Sequence, residues 1–168
     1  MEKQRFQTIS RQTPRLESVQ KAIGAGTYTD DLRMPDMAYA ELIRCPYSHA
    51  RVIAIDASQA EKIPGFLGIA TPEDAPQAFY NCSGNPPSAL LMKDERVLTS
   101  EPRTVGDRVA VVAAETRQAA HACAEAVRVQ YEQLPVTLDV AAALSERAEP
   151  VQPQIAPEDN IAQRREVS

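Results

Sequence analysis

RVAVVAAETRQAAHACAEAVRVQYEQLP, residues 108–135, is the stretch on which the fold turns. Its first seven residues are the most apolar run in the chain, which predicts a strand buried on both faces and therefore the centre of a sheet. Thr116 then stands where a helix needs an N-cap, because its hydroxyl can accept a bond from an amide of the first turn. Ala119, Ala120, Ala122, Cys123, Ala124 and Ala126 are all small, so the predicted helix can approach a sheet closely. Ala119, Cys123, Ala126 and Val127 recur at i, i+4, i+7, i+8 and make one apolar face, with Arg117, His121, Glu125 and Arg128 elsewhere on the cylinder. Residues 127–131 return to strand character, and Pro135 ends the run.

Working back toward the N-terminus, residues 38–45 (AYAELIRC) lie between Pro35 and Pro46 and predict a strand. Residues 51–56 (RVIAID) predict a second. Residues 58–63 predict one or two helical turns capped by Ser58, which Pro64 and Gly65 stop before a third strand, FLGIA. Glu73 and Asp74 behind Pro72 have the look of a first helical turn, where acids suit the dipole. Beyond Pro135, residues 136–144 predict an extended stretch and one short helix around DVAAAL. Strand, short helix and strand in alternation give an α+β class, with a mixed β-sheet and packed helices.

The domain plan follows from texture. Residues 1–20 are polar and without a clear period, an N-terminal arm. Residues 21–145 hold the α+β domain, and within it residues 71–104 form a long Pro-containing excursion with one apolar cluster, Ala89-Leu90-Leu91-Met92. A connection of that length in a compact domain points to function, and we expect an ordered excursion across a partner surface. Residues 146–168 are polar and Pro-containing and predict a linker that leaves the domain.

Of the 168 residues 73 are hydrophobic, but 26 of those are Ala, and Leu, Ile, Val and Phe together number 35. The core is therefore small and built on close approach. No window nears the ~18 consecutive apolar residues of a membrane-spanning helix, and no apolar run follows the basic N-terminus to make a signal peptide. We expect no membrane partner and a cytoplasmic location. With a net charge of −5, scattered Lys and Arg, no Trp and few other aromatics, nucleic acid is not an expected partner either.

Few residues suggest chemistry. Cys45, Cys82 and Cys123 form no CxxC pair, and with His49 and His121 they make no zinc pattern. Ser48 beside His49 is a poor nucleophile and base pair, since adjacent residues seldom supply the geometry. Asp30 and Asp31 are read as turn residues, His121 as solvent-facing or docking, and Asn81-Cys82-Ser83 as a chance glycosylation match. Gly24-Ala25-Gly26 lacks the rest of a dinucleotide fingerprint, and Val105-Gly106-Asp107-Arg108 lacks the Gly-Lys-Ser/Thr of a phosphate loop. No catalytic, cofactor-binding or metal residue is assigned.

The order of motifs adds what single residues do not. YTDDL at 28–32, the R-x-P-x-x-H-A of Arg44, Pro46, His49 and Ala50, Pro64-Gly65, the VG-x-x-VA-x-V-A-x-E run from Val105 to Glu115, and YE-x-LP from Tyr131 to Pro135 follow one another at characteristic spacing. In this the chain resembles, over about residues 15–145, the α/β hammerhead domain of the molybdopterin-binding large subunit of the xanthine dehydrogenase and aldehyde oxidase family. Most members carry Pro two residues after the Gly of the fourth motif, and Arg108 there is similar to the selenate reductase or xanthine dehydrogenase D-type branch. The resemblance implies a parent enzyme with the molybdopterin cofactor, [2Fe–2S] clusters and often FAD, which hydroxylates a carbon next to nitrogen or oxygen with water as oxygen source. It also implies that the pterin loops and the catalytic Glu lie in other domains. This chain would bind no cofactor alone, and would pack on the molybdopterin-binding domains and face the iron–sulfur and FAD parts. The alternative expectation is a stand-alone interaction or assembly module that keeps the fold without catalysis.

Overall fold

In the computed structural model, residues 15–81, 93–145, 148–156, 160, 161 and 166 are described. The chain divides into two units, Met1–Met37 and Ala38–Ser168. The apolar cluster 89–92 and Cys82-Ser83 lie outside the described residues.

The first unit holds α1 (Ser18–Ala22) and a single 3-10 turn at Thr29–Asp31. Gly24 ends α1 with φ of 72°, the left-handed residue that follows many helices, and the amides of Ala25 and Gly26 both return to the Gln20 carbonyl. The GAG stretch is thus a helix stop. The YTDDL motif closes on itself, since the Asp31 carboxylate accepts from the Tyr28 amide at 2.9 Å and the Asp31 amide donates to the Tyr28 carbonyl at 3.0 Å.

The second unit contains β1 (Tyr39–Arg44), β2 (Ala50–Asp56), β3 (Phe66–Ala70), β4 (Arg108–Ala114), α2 (Arg117–Ala126), β5 (Arg128–Gln133) and α3 (Val140–Ala143). The expected strand at 108–114 is central, paired antiparallel with β1 on one edge and β3 on the other. The α+β class stands, but among the described residues the expected mixed sheet is corrected to two antiparallel sheets, β1-β4-β3 and β2-β5. The cause is occupancy: both edges of β4 are taken, so the strand that follows the helix cannot lie beside β4 and pairs with β2 instead.

Thr116 caps α2 as expected, its hydroxyl accepting from the Ala119 amide at 3.1 Å. The buried line along α2 is Ala120, Cys123 and Val127, with Ala119, Ala124 and Ala126 half-buried beside it. The expected face named Ala119 in place of Ala120; an alanine-rich helix offers little contrast between its sides, so the centre of the face is set by the sheet it meets. Against that line pack Val112, Ala114 and Ala60.

A second cluster joins Cys45, Ala50 and Val109 to Tyr47, Val52 and Tyr131, the two tyrosine rings meeting edge to face at 5.4 Å. One strand serves both clusters because the β1–β4 ladder slips by one residue: Ile43 faces Ala110 and Arg44 faces Arg108, leaving Val109 as the bulged residue turned into the second cluster.

Two turn expectations are corrected. Ser58 does not cap the 3-10 turn at Ala60–Lys62; instead Asp56 accepts from the Ser58 amide at 2.9 Å. Glu73–Asp74 goes no further than one turn, in which Asp74 accepts from the Thr71 amide at 2.8 Å and hydroxyl at 2.9 Å, because Pro76 blocks propagation two residues on. Among the described residues no helix is long and apolar enough to cross a membrane.

Candidate functional site

The described part of the excursion's return limb is built into the domain. Val52 and Ala50 donate to the carbonyls of Ser100 (2.8 Å) and Pro102 (3.0 Å), the Thr99 amide donates to the Arg108 carbonyl at 2.9 Å, and Leu98 and Pro102 are buried. At its neck Tyr80 and Glu95 pair backbone to backbone, at 2.8 and 3.1 Å. Beside this neck opens a cleft of about 600 Å³ whose lining includes Arg44, Arg96, Arg103 and Arg108 together with Asp94, Glu95, Glu101 and Asp107.

Arg108 organises the cleft. Its Nη2 donates to the Tyr80 hydroxyl at 2.7 Å, to Glu95 Oε2 at 2.7 Å and to the Arg96 carbonyl at 3.1 Å, so one guanidinium holds both limbs of the neck. Burial opposes its charge, yet the Tyr80 hydroxyl and the Glu95 carboxylate outweigh that cost and push its pKa up. Arg96 lies over the Phe79 ring at 4.3 Å and donates to Gln77 at 3.2 Å. None of Tyr80, Glu95 and Arg96 was singled out from the sequence; an aromatic and an acid on opposite flanks of a Pro-rich stretch are the only signal there.

Residues 104–107 form a turn rather than an anion cradle, the Asp107 amide donating to the Thr104 carbonyl at 3.1 Å, and Arg108 opens β4. The Asp107 carboxylate accepts from the amides of Arg103 (2.7 Å) and Thr104 (3.1 Å), and Gly106 takes φ of 96°, which favours glycine. The turn is fastened to the end of β1: the Gly106 amide donates to the Cys45 carbonyl at 2.8 Å, the Cys45 amide donates to the Asp107 carbonyl at 2.9 Å, and Arg44 Nη1 donates to the Gly106 carbonyl at 2.8 Å. Arg103 also bonds Glu101, and its Nη1 donates to the Val151 carbonyl at 2.7 Å. Val151 thus returns to the domain from the segment expected to leave it, and Ala156 is buried.

His49 sits between β2 and the end of β5. Its Nδ1 must carry the proton, since it donates to the Pro135 carbonyl at 2.7 Å, and the Leu134 amide returns a bond to the His49 carbonyl at 3.0 Å. Nε2 is buried without a hydrogen-bond partner, 3.8 Å from Glu101. The imidazole is a staple between strands, not the base of a Ser48 pair. His121 is exposed, and its Nδ1 meets Glu41 at 3.2 Å, with Glu125 near Nε2 at 3.6 Å; the Glu41 bond first, then the Glu125 charge, raises its pKa.

Three motif pairs therefore meet in space: Arg44 with Gly106, His49 with Pro135, and Gly65 with Glu115, whose amide donates to the Gly65 carbonyl at 2.8 Å. These bonds fasten one motif to the next, and His49 Nε2 stays buried without a partner. Cys45 and Cys123 lie in different clusters, each thiol directed at a backbone carbonyl, of Tyr47 at 3.5 Å and Ala60 at 3.8 Å. Burial pushes the Cys45 thiol pKa up, away from the thiolate that an iron–sulfur cluster needs. Among the described residues no three His, Cys, Asp or Glu side chains are grouped to hold a metal ion. This donor set does not fit molybdenum or an iron–sulfur cluster.

A three-stranded antiparallel sheet centred on the bulged strand β4, a separate β2–β5 ladder, and one capped helix joining β4 to β5 define an α/β hammerhead domain. The chain belongs to the aldehyde oxidase and xanthine dehydrogenase a/b hammerhead domain family, whose model matches residues 23–135. It is 36% identical over 141 residues to the xanthine dehydrogenase molybdenum-binding subunit of Escherichia coli O157:H7, covering 82% of this chain and 19% of that protein. It is 29% identical over 159 residues to the nicotinate dehydrogenase large molybdopterin subunit of Eubacterium barkeri, covering 94% of this chain and 35% of that one. Among solved structures, the aldehyde oxidoreductase from Desulfovibrio gigas superposes with a TM-score of 0.70 at 29% identity, over 83% of this chain and 16% of that one. The chain thus spans between a sixth and about a third of these proteins.

Proposed function

We propose that this chain serves as the hammerhead domain of a molybdenum-dependent hydroxylase of the xanthine dehydrogenase and aldehyde oxidase type, with a structural and docking role and no complete active site of its own. The observation that carries the reading is the pairing of the motif residues: Arg44 with Gly106, His49 with Pro135 and Gly65 with Glu115 hold the domain together. Arg44, His49 and Asp107 are positioned as fasteners between strands and turns. Hydroxylation, with its molybdopterin cofactor, [2Fe–2S] clusters and FAD, is the work of other domains or subunits in this proposal. The partners are the molybdopterin-binding domains of the same subunit and the iron–sulfur and FAD parts, assembled in the cytoplasm.

The test is to purify the native polypeptide that carries this sequence, measure its mass and analyse its metal. A subunit of the size of the relatives with stoichiometric molybdenum is the expected result. A native polypeptide close to 168 residues without molybdenum would overturn the proposal in favour of a stand-alone interaction module.

A further inference from the structure

The stretch Val136 to Leu144, VTLDVAAAL, shows an inversion of the usual arrangement of polar and apolar groups. Its polar atoms are satisfied locally. Asp139 Oδ1 accepts from the amides of Ala141 (2.8 Å) and Ala142 (3.1 Å), capping α3, and the Ser145 hydroxyl donates to the Ala142 carbonyl at 2.8 Å. The Asn160 side-chain amide donates to the carbonyls of Ala143 (3.0 Å) and Glu149 (3.1 Å), closing the C-terminal side of the turn. The large apolar side chains point out: Leu138 is 86% exposed, Val140 75%, Leu144 54% and Val136 46%. Asp139 is the single charged residue in the nine, and its Oδ1 accepts both cap bonds.

A four-residue helix held in shape by polar bonds, with its hydrophobic side chains in water, gains nothing from folding alone. Burying those side chains against an apolar partner would supply about 1.5–3 kcal/mol for each one fully covered. We infer that the segment 136–144 is a docking surface, and that its occupant is an uncharged, apolar patch on the remainder of the same subunit. This rests on the reading given under Proposed function. The chain spans 19% of the molybdenum-binding subunit it resembles, so about four fifths of such a polypeptide lies outside it. The segment begins where the family match ends, at residue 135.

Size argues against a second copy as occupant. Four apolar side chains fall far short of the ~800 Å² per partner that stable complexes bury. An intramolecular contact needs much less, because the tether has already brought the two surfaces together. A single charge among the nine residues, held at the cap, argues against a strongly acidic or basic partner.

The experiment uses the native enzyme carrying Leu138→Cys, labelled with a short photoactivatable maleimide and analysed by peptide mass spectrometry. A cross-link to a peptide of the same polypeptide outside residues 1–168 is expected, together with labelling at least tenfold slower than in denaturant. Labelling at the denatured rate, or a cross-link to a second copy, to a different subunit or to lipid, would overturn the proposal. Where the variant does not accumulate, hydrogen exchange on the unmodified enzyme decides: slow exchange of residues 140–145 supports a covered surface, and exchange at the rate of an unstructured chain refutes it. A full-length, molybdenum-bearing subunit whose Leu138 labels freely would sink the docking surface and leave the domain assignment standing. A native polypeptide close to 168 residues would end both.

Discussion

The two clusters that β4 serves are built on opposite principles. Beneath α2, Val112 and Ala114 meet Ala60, Ala120 and Cys123, and closeness of approach substitutes for side-chain size. Between β2 and β5, two tyrosines, Val52 and the His49–Pro135 staple do with large rings and polar anchors what the first cluster does with alanines. The first tolerates nothing added; the second depends on particular partners. A chain with 26 Ala and no Trp can still close two sheets, provided that the helix seats tightly on one of them.

The largest effect that would break this contrast lies under the helix. Ala120→Leu should lower unfolding free energy by about 1–3 kcal/mol through overpacking, whereas Gln118→Leu on the exposed side should change it by less than ~0.5 kcal/mol. Equal denaturation midpoints for the two would show that α2 does not sit as close as the alanines imply. Next comes the neck: Arg108→Met removes the bonds to Tyr80, Glu95 and the Arg96 carbonyl, and a loss of about 1–2 kcal/mol is expected, local to residues 77–81 and 93–97. Hydrogen exchange should quicken there with 108–127 unchanged; quickening throughout would make Arg108 part of the global core.

A double-mutant cycle on Tyr47→Leu and Tyr131→Leu should return about 0.5–1.5 kcal/mol of coupling, and a coupling near zero would remove the aromatic basis of the second cluster. In the same cluster burial, then the neighbouring Cys45 thiol, pushes the Tyr131 hydroxyl up to about 12, so it should stay protonated through any ordinary pH titration. The smallest effect is at His121. Its raised pKa means that the fold favours the protonated ring, so the contribution is fully present below about pH 6.5 and is lost as pH climbs through the higher folded value. His121→Gln should flatten that small slope, and an unchanged slope would assign it to other groups.

Much of the fold was legible because its signals are local. Six apolar residues in β4, Thr116 ahead of a helix and Pro at strand ends each act within a few positions, and the five strands among the described residues fall where those signs place them. Sheet membership was not legible. Arg44 and Gly106 are 62 residues apart and His49 and Pro135 are 86 apart, and no local propensity says that β5 must leave β4 for β2. The same distance hid the Arg108 neck, since its partners Tyr80 and Glu95 sit 28 and 13 residues upstream in a stretch whose prolines suppress every periodic signal. At Asp74 the miss was different in kind: Thr71 and Asp74 close a turn of the sort that opens a helix, and Pro76 stops the chain after it.

Between Thr116, whose hydroxyl opens α2, and Val127, which closes it and is itself buried, the helix is a spacer of fixed length. Ten residues rise roughly 15 Å, and each further residue would turn the exit by about 100°. One inserted or deleted residue would therefore swing Val127 off the sheet and send β5 out with its inward and outward sides exchanged. Evolutionary drift in length is thus closed off between 117 and 126, where the chain measures the distance from one sheet to the other, while substitution among small residues on the outer side stays open.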